Sequence, residues 1–290
     1  MPSCIAAILA WNGAAATDDV GFGMANIGNP NNPADPATGL GRVEHTFAIS
    51  KRSVTIAECV TLLNAVAKKD RHGLYNPLMA SDPMIAGIRR DGPGGNDVYS
   101  AIEPSGAVQT AAATAGGRPV TYVNWFDVAR FANWMSNGQP VGPQGPTTTE
   151  DGAYLLDGAV GGTAVPRNQV NPNVGGAPTF YLPTENQWYK TAYDSPTLDN
   201  GKGGYDRYAT ASDTAPSNRV GGEANMANFI DDSSGTYVYS GRFKNSCGLR
   251  PASGGDPACG DGTGRDKDCR GGVSRGSAYA ADVRFRAALF

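Results

Sequence analysis

Glycine and proline set the strongest limit on what this chain can fold into. The 290 residues include 39 glycines and 20 prolines, so about a fifth of the positions disfavour regular helix. Long helices do not tolerate that density, and we therefore expect short helices and strands joined by long loops. Hydrophobic residues make up 40% of the chain and charged residues 18%, a composition typical of a folded protein rather than a disordered one.

Charge and hydropathy exclude several classes of partner. The net charge is −3, the isoelectric point is about 5.4, and the basic residues are scattered, so no nucleic-acid or anionic-membrane partner is expected. No stretch approaches the roughly 20 apolar residues that a membrane span needs. The apolar run before Trp11 lacks a basic region, so we expect a buried segment of a protein made in the cytosol without a cleaved signal. A secreted protein with a signal peptide is the alternative.

Capping residues mark where helices should begin. Thr55 precedes an apolar face of helical spacing and is followed three residues later by Glu58, the pattern of a capping box. Asn124 stands before a second apolar run, as an N-cap residue does. Thr184 stands before a third, with Gln187 in the reciprocal position. The sequence therefore predicts helices that begin directly after these capping residues.

The rest of the pattern favours short strands and irregular loops. Alternating apolar and polar residues predict a strand over 43–50, and residues 150–154 are interpreted as a hairpin. Long loops are expected over 70–118, 138–178 and 230–272, where turn residues cluster. The predicted fold class is therefore α+β, with few helices, short and mostly antiparallel strands, and long loops.

Four segments, in order, resemble the formylglycine-generating enzyme family, also called the sulfatase-modifying-factor family. They span residues 49–58, 119–134, 181–192 and 275–288. The residues that carry the resemblance are Trp125, Asp127, Trp134, Leu182, Pro183, Glu185, Trp188, Arg275, Gly276, Ser277, Arg284 and Arg286. Their types suit a structural role, because they supply buried aromatic area, helix caps and ion pairs. The resemblance implies a C-type-lectin-like domain over 42–290, with 1–41 as an N-terminal extension or edge segment.

The chemistry that the resemblance implies has no matching residues. Oxidases of this family hold copper(I) with two cysteines near the C-terminus, and thiolates suit that soft metal. The matching stretch here, 276–283, contains no cysteine. Cys259 and Cys269 lie before it, and relocated copper ligands stay an alternative. The iron-dependent branch of the family needs a cluster of three histidines, whereas this chain has only His45 and His72. We therefore expect a non-catalytic member.

Hard oxygen ligands suggest a different metal. The resemblance implies structural Ca²⁺ held by Asn and Asp, and Asn225, Asn228, Asp231 and Asp232 are the candidate ligands. A solvated acidic loop is the interpretation that we favour over a calcium site. The residues also leave open a disulfide among the three cysteines at positions 247–269.

These observations favour a binding protein over an enzyme. A C-type-lectin-like fold presents long loops on a rigid body, and loops often carry recognition. We expect the loops to bind a protein or glycan ligand, in a setting such as a phage virion or receptor-binding component. The alternatives are a copper oxidoreductase with relocated ligands and a purely structural capsid or tail subunit that contacts other virion subunits.

Overall fold

A computed structural model describes the core of the chain and part of its C-terminal half. The described residues are 10–11, 23–51, 53–83, 85–103, 105, 115–209, 211–214, 230–231 and 236–237. They fall into two compact units. The first contains residues 10–11 and Val54–Leu182, and the second contains the described residues of 23–53 and those from 183 onwards.

Short elements make up both units. The helices are α1 (Ile56–Val66), α2 (Leu78–Ser81), α3 (Trp125–Ser136), α4 (Glu185–Tyr193) and the single turn α5 (Leu198–Gly201). The strands are β1 (Ala10–Trp11), β2 (Met24–Ile27), β3 (Phe47–Ser50), β4 (Ile88–Asp91), β5 (Val98–Ala101), β6 (Phe180–Tyr181), β7 (Ile230–Asp231) and β8 (Thr236–Tyr237). A 3₁₀ turn lies at Ala115–Gly117 and a π-helical turn at Pro146–Glu150.

The strand pairs in the described residues are antiparallel. In the first unit β1 pairs with β6 and β4 with β5, and in the second β2 pairs with β3 and β7 with β8. This mixture of helices and short antiparallel strands confirms the coarse fold class. The C-type-lectin-like assignment stays a prediction, as does the boundary between residues 41 and 42.

The predicted helix starts are confirmed. Thr55, Asn124 and Thr184 each accept a backbone hydrogen bond from the first turn, and the third residue of each helix bonds back to the capping residue. These reciprocal bonds satisfy N–H groups that have no partner inside the helix. Local sequence is therefore sufficient to define where these helices begin.

Helix α3 forms the centre of the first unit, since all of its residues are buried. It packs against β6 and against the π-helical turn. The Trp125 ring meets the Tyr154 ring edge-on with centroids 5.3 Å apart, and Trp134 meets Phe131 in the same way at 5.8 Å. Aromatic pairs of this geometry add to the stabilisation that comes from buried area.

In the second unit, buried polar contacts hold the segment before β3 to α4. The Tyr189 hydroxyl donates to Asp35 Oδ2 at 2.6 Å, and Lys190 Nζ donates to the carbonyl of Asn29 at 2.6 Å. Asn32 Nδ2 donates to the Tyr205 hydroxyl at 2.6 Å. Buried polar groups are tolerated when they are hydrogen-bonded in this way, and such bonds fix an irregular segment.

One expectation for the loops is wrong, and two others are confirmed in part. The hairpin predicted at 150–154 is absent, because the π-helical turn ends at Glu150 and bends follow it. The described residues of 70–118 are mostly loop, as expected, but they also contain α2 and the hairpin of β4 and β5. The strand expected over 43–50 is shorter and begins at Phe47. In the described part of the chain, no helix is long and apolar enough to cross a membrane.

Candidate functional site

The connection between α3 and β6, residues 137–179, is the most distinctive surface element of the first unit, and we call it the α3–β6 loop. A buried ion pair joins it to the helix. Arg130 Nε donates to Glu150 Oε1 and Arg130 Nη2 donates to Glu150 Oε2, each at 2.8 Å. The same Nη2 donates to the carbonyl of Ala159 at 2.8 Å. The Arg130 side chain is 0% exposed, so this bidentate pair lies out of water.

The other side of the Glu150 carboxylate is also occupied by the loop. Thr149 Oγ1 donates to Oε1 at 2.9 Å, and the Gly158 N–H donates to Oε2 at 2.9 Å. Burial alone would raise the pKa of Glu150, but the hydrogen bonds and charge of Arg130 outweigh burial and hold that pKa below its usual value. The carboxylate therefore stays ionised and joins separate parts of the loop.

Asparagine side chains of α3 and of its C-terminal end also hold the loop by hydrogen bonds. Asn133 Nδ2 donates to the carbonyls of Thr149 and Tyr154, each at 2.8 Å, and the Tyr154 N–H donates to Asn133 Oδ1 at 2.7 Å. Asn137 Nδ2 donates to the carbonyls of Thr148 and Asp151 at 3.0 and 2.8 Å. These amides replace the backbone partners that a helix or sheet would supply.

The second half of the loop returns to the same point. Asn171 Nδ2 donates to the carbonyl of Ser136 at 3.1 Å and to Asn137 Oδ1 at 3.0 Å. Asn168 Nδ2 donates to Asp151 Oδ1 and to the carbonyl of Gly152, each at 3.0 Å. The α3–β6 loop is thus irregular in backbone but extensively cross-linked by side chains.

Although it is held from inside, the loop exposes aliphatic side chains. Of the large hydrophobic residues that are exposed in the described part of the chain, most lie on this loop, with exposed fractions from 53% to 80%. They are Val141, Leu155, Val160, Val170 and Val174. No described aromatic residue is among the exposed large hydrophobics. Single exposed aliphatic side chains are common on protein surfaces, and here five of them lie on one loop that is fixed by buried side chains.

A small cavity is lined by residues of α1, of α3 and of the segments next to them. It has a volume of about 20 Å³ and a mainly aliphatic lining, to which α1 contributes Cys59 and α3 contributes Asp127. Burial raises the pKa of the Cys59 thiol to about 12, and the nearby carboxylates of Asp127 and Asp70 add to the effect. Cys59 is therefore a protonated thiol at neutral pH, which neither attacks nor ligates as a thiolate.

Asp127 has a structural position in this region. Its Oδ2 accepts the Asn124 N–H at 2.8 Å and so completes the capping box of α3. Burial raises the pKa of the Asp127 carboxyl to about 7, against the opposing effects of that hydrogen bond and of the Arg130 charge.

With the fold and these contacts established, comparison with known proteins identifies the family. Residues 19–288 match the FGE-sulfatase family, described as the sulfatase-modifying factor enzyme 1-like domain. The chain belongs to this family. No curated protein and no solved structure matches the chain.

This member of the FGE-sulfatase family uses its described motif residues inside the fold. Trp125, Asp127 and Trp134 are buried on α3, and Pro183 is buried just before α4. Leu182, Glu185 and Trp188 are half-buried, and the Trp188 ring meets the Tyr193 ring edge-on at 6.2 Å. The N–H of Leu182 donates to the Tyr154 hydroxyl at 3.0 Å. Leu182 thus contacts the α3–β6 loop through Tyr154.

The remaining predicted site residues cannot be placed. Arg275, Gly276, Ser277, Arg284, Arg286, Asn225, Asn228, Asp232 and the cysteines at 247, 259 and 269 lie outside the described residues. Asp231 belongs to β7, but its side chain is not described. Among the described residues, no three His, Cys, Asp or Glu side chains come together as a metal-binding group. The calcium site and the disulfide stay predictions.

His72, one of the two histidines of the chain, is partly enclosed. The His72 side chain is 21% exposed, and its Nε2 lies 3.8 Å from Glu150 Oε1. The His72 N–H donates to Gln144 Oε1 at 3.0 Å, and Gln144 in turn donates to Asp70 Oδ1 at 2.9 Å. The segment around His72 therefore contributes to holding the α3–β6 loop, a role that its local sequence gave no reason to expect.

Proposed function

We propose that this chain is a non-catalytic binding protein of the FGE-sulfatase family and that the α3–β6 loop is its recognition surface. One observation carries the proposal: the loop is fixed by buried side chains and still exposes aliphatic groups to solvent. Aliphatic groups on such a loop can be buried against a partner, and a fixed loop loses little conformational entropy on binding.

The residues available for catalysis support the same proposal. The stretch that should supply the copper ligands, 276–283, has no cysteine in the sequence. Among the described residues the one cysteine is Cys59, a buried thiol of raised pKa. Neither supplies the pair of thiolates that suits copper(I), and the alternative pair, Cys259 and Cys269, lies outside the described residues.

Matched substitutions in the loop provide the test. Val160→Thr, Val170→Thr and Val174→Thr together keep the side-chain shape but make the surface polar, and Val98→Thr is the control at an exposed valine outside the loop. A photo-crosslinking group at position 141, the most exposed aliphatic residue of the loop, should give a defined adduct with a partner from the source cells. The adduct should disappear in the triple variant and persist in the Val98→Thr control.

An enzyme would behave differently. Copper analysis of the purified chain, with oxygen uptake on a cysteine-containing peptide, tests the alternative of relocated copper ligands. Stoichiometric copper(I) with turnover would overturn the proposal. A virion setting stays a prediction, and the nature of the neighbouring genes checks it.

A further inference from the structure

Within the proposed recognition surface, Arg167 is held in place but has no counter-ion among the residues that the structure describes. Its guanidinium carbon lies 3.9 Å from the centre of the Tyr181 ring. Tyr181 is buried in β6, and the neighbouring Asn168 is tied to Asp151 and Gly152, so both the ring and the backbone next to Arg167 are fixed. A cation at this distance over a ring is stabilised by the ring quadrupole.

The donors of Arg167 remain available. Arg167 makes no hydrogen bond or ion pair with any residue that the structure describes, although its side chain is half-buried. The other charged residues of the loop either have hydrogen-bond partners or are exposed to solvent. Glu150 is paired with Arg130, Asp151 accepts from Asn168 and Gly152, and Asp157 is exposed. The loop that exposes these aliphatic side chains thus also carries a fixed guanidinium fork.

We propose that Arg167 binds a side-chain carboxylate of a partner protein, beside the aliphatic groups of the α3–β6 loop. This inference rests on the proposed function and specifies its partner. A planar guanidinium recognises a carboxylate through two parallel hydrogen bonds, and a fixed fork loses little freedom on binding. The large hydrophobic side chains that the described part of the loop exposes are aliphatic, and none is an aromatic face on which a sugar ring would stack, so a protein partner fits better than a glycan.

Another arginine of the same unit, Arg90, has both an aromatic ring and a carboxylate as partners. The guanidinium of Arg90 lies 4.9 Å from the centre of the Tyr75 ring, and its Nη1 is 3.9 Å from Asp97 Oδ2. Arg90 therefore has both the aromatic ring and the carboxylate. Arg167 has the ring alone, and Arg90→Gln provides the matched control for substitutions at Arg167.

The test uses short peptides and the full chain labelled with ¹⁵N. The probes are acetyl-Leu-Val-Glu-amide, its Gln counterpart, and glucuronic acid, and the signals followed are those of the arginine side-chain N–H groups. The Glu peptide should shift the Arg167 signal and bind about tenfold more tightly than the Gln peptide, because hydrogen bonds to charged groups contribute more than neutral ones. Arg167→Gln should remove that preference, Arg167→Lys should restore part of it, and Arg90→Gln should leave it unchanged.

Three outcomes would overturn the inference: equal binding of the Glu and Gln peptides, no shift at Arg167 with either peptide, or tighter binding of glucuronic acid than of the Glu peptide. These outcomes are separable from failure of the proposed function. If the Thr triple variant loses its crosslinked partner while Arg167→Gln retains it, the surface binds a protein but not through Arg167.

Discussion

Helix α3 and the α3–β6 loop follow one another in the chain but are held in different ways. The helix is held by its own repeating backbone bonds and by a capping box whose partners, Asn124 and Asp127, are three positions apart. Many of the side chains that hold the loop have distant partners, for example 14 residues away in the bond from Asn137 to Asp151 and 35 in the bond from Asn171 to Ser136. Stability in the helix is therefore distributed, whereas in the loop it depends on individual residues.

The largest expected effect follows from the buried ion pair of the loop. Glu150→Gln removes the charge that faces Arg130 and turns an amide N–H towards the guanidinium. We expect a loss of about 3–5 kcal/mol in the free energy of unfolding, because an uncompensated charge is left out of water. Urea denaturation measures it. Arg89→Gln, which removes an exposed pair with Asp91, should cost at most about 1 kcal/mol. Equal losses would contradict the contrast.

Two asparagines of the same region sharpen the comparison. Asn133→Ala leaves the carbonyls of Thr149 and Tyr154 and the N–H of Tyr154 without their partner. We expect a loss of about 3 kcal/mol, since each buried polar group left unpaired costs about 1–3 kcal/mol. Asn124→Ala removes only the cap of α3 and should cost about 1 kcal/mol. A larger loss for the cap in thermal or urea unfolding would show that the helix, not the loop, depends on single residues.

The smallest expected effect is a change in how the free energy of unfolding depends on pH, and it arises from Asp127 in α3. Because the pKa of Asp127 is raised to about 7, the folded chain holds this proton more tightly than the unfolded chain, where aspartate titrates near about 3.9. The stability that this proton contributes is fully present below about pH 4 and is lost as the pH rises through about 7. Asp127→Asn keeps an oxygen that accepts the Asn124 N–H but has no proton to lose.

The Asp127→Asn variant should therefore gain stability relative to the unmodified chain between about pH 5 and about pH 8. Arg130 and Asp70, the charged groups that influence this carboxyl, are the same in both proteins, and urea unfolding at the two pH values measures the difference. An identical difference at both values would show that Asp127 does not titrate in this range.

Features held by local contacts were predictable from the sequence, whereas features held by distant contacts were not. The caps at Thr55, Asn124 and Thr184 were predictable because their partners lie within three residues. The four-segment resemblance identified the family correctly. The architecture of the α3–β6 loop was not predictable, because the partner of Arg130 lies 20 residues away and no periodic pattern connects them.

One signal in the sequence could have indicated part of the site. Arg130 interrupts an apolar stretch of α3, and an arginine in a helix that is buried all round must find a carboxylate. Glu150 and Asp151 were the nearest acidic residues in the following loop. The hairpin prediction assigned Glu150 to a strand, and that period-based interpretation could not reveal a side chain directed back at the helix.

The cross-links of the α3–β6 loop also separate two sets of sequence positions. The residues that hold the loop, such as Arg130, Asn133 and Asn171, are not the residues that it exposes. Codons for Val141, Leu155, Val160, Val170 and Val174 can therefore be randomised without altering any of those bonds. We expect a combinatorial library at these five positions to vary the exposed surface from clone to clone while the melting temperature stays nearly constant.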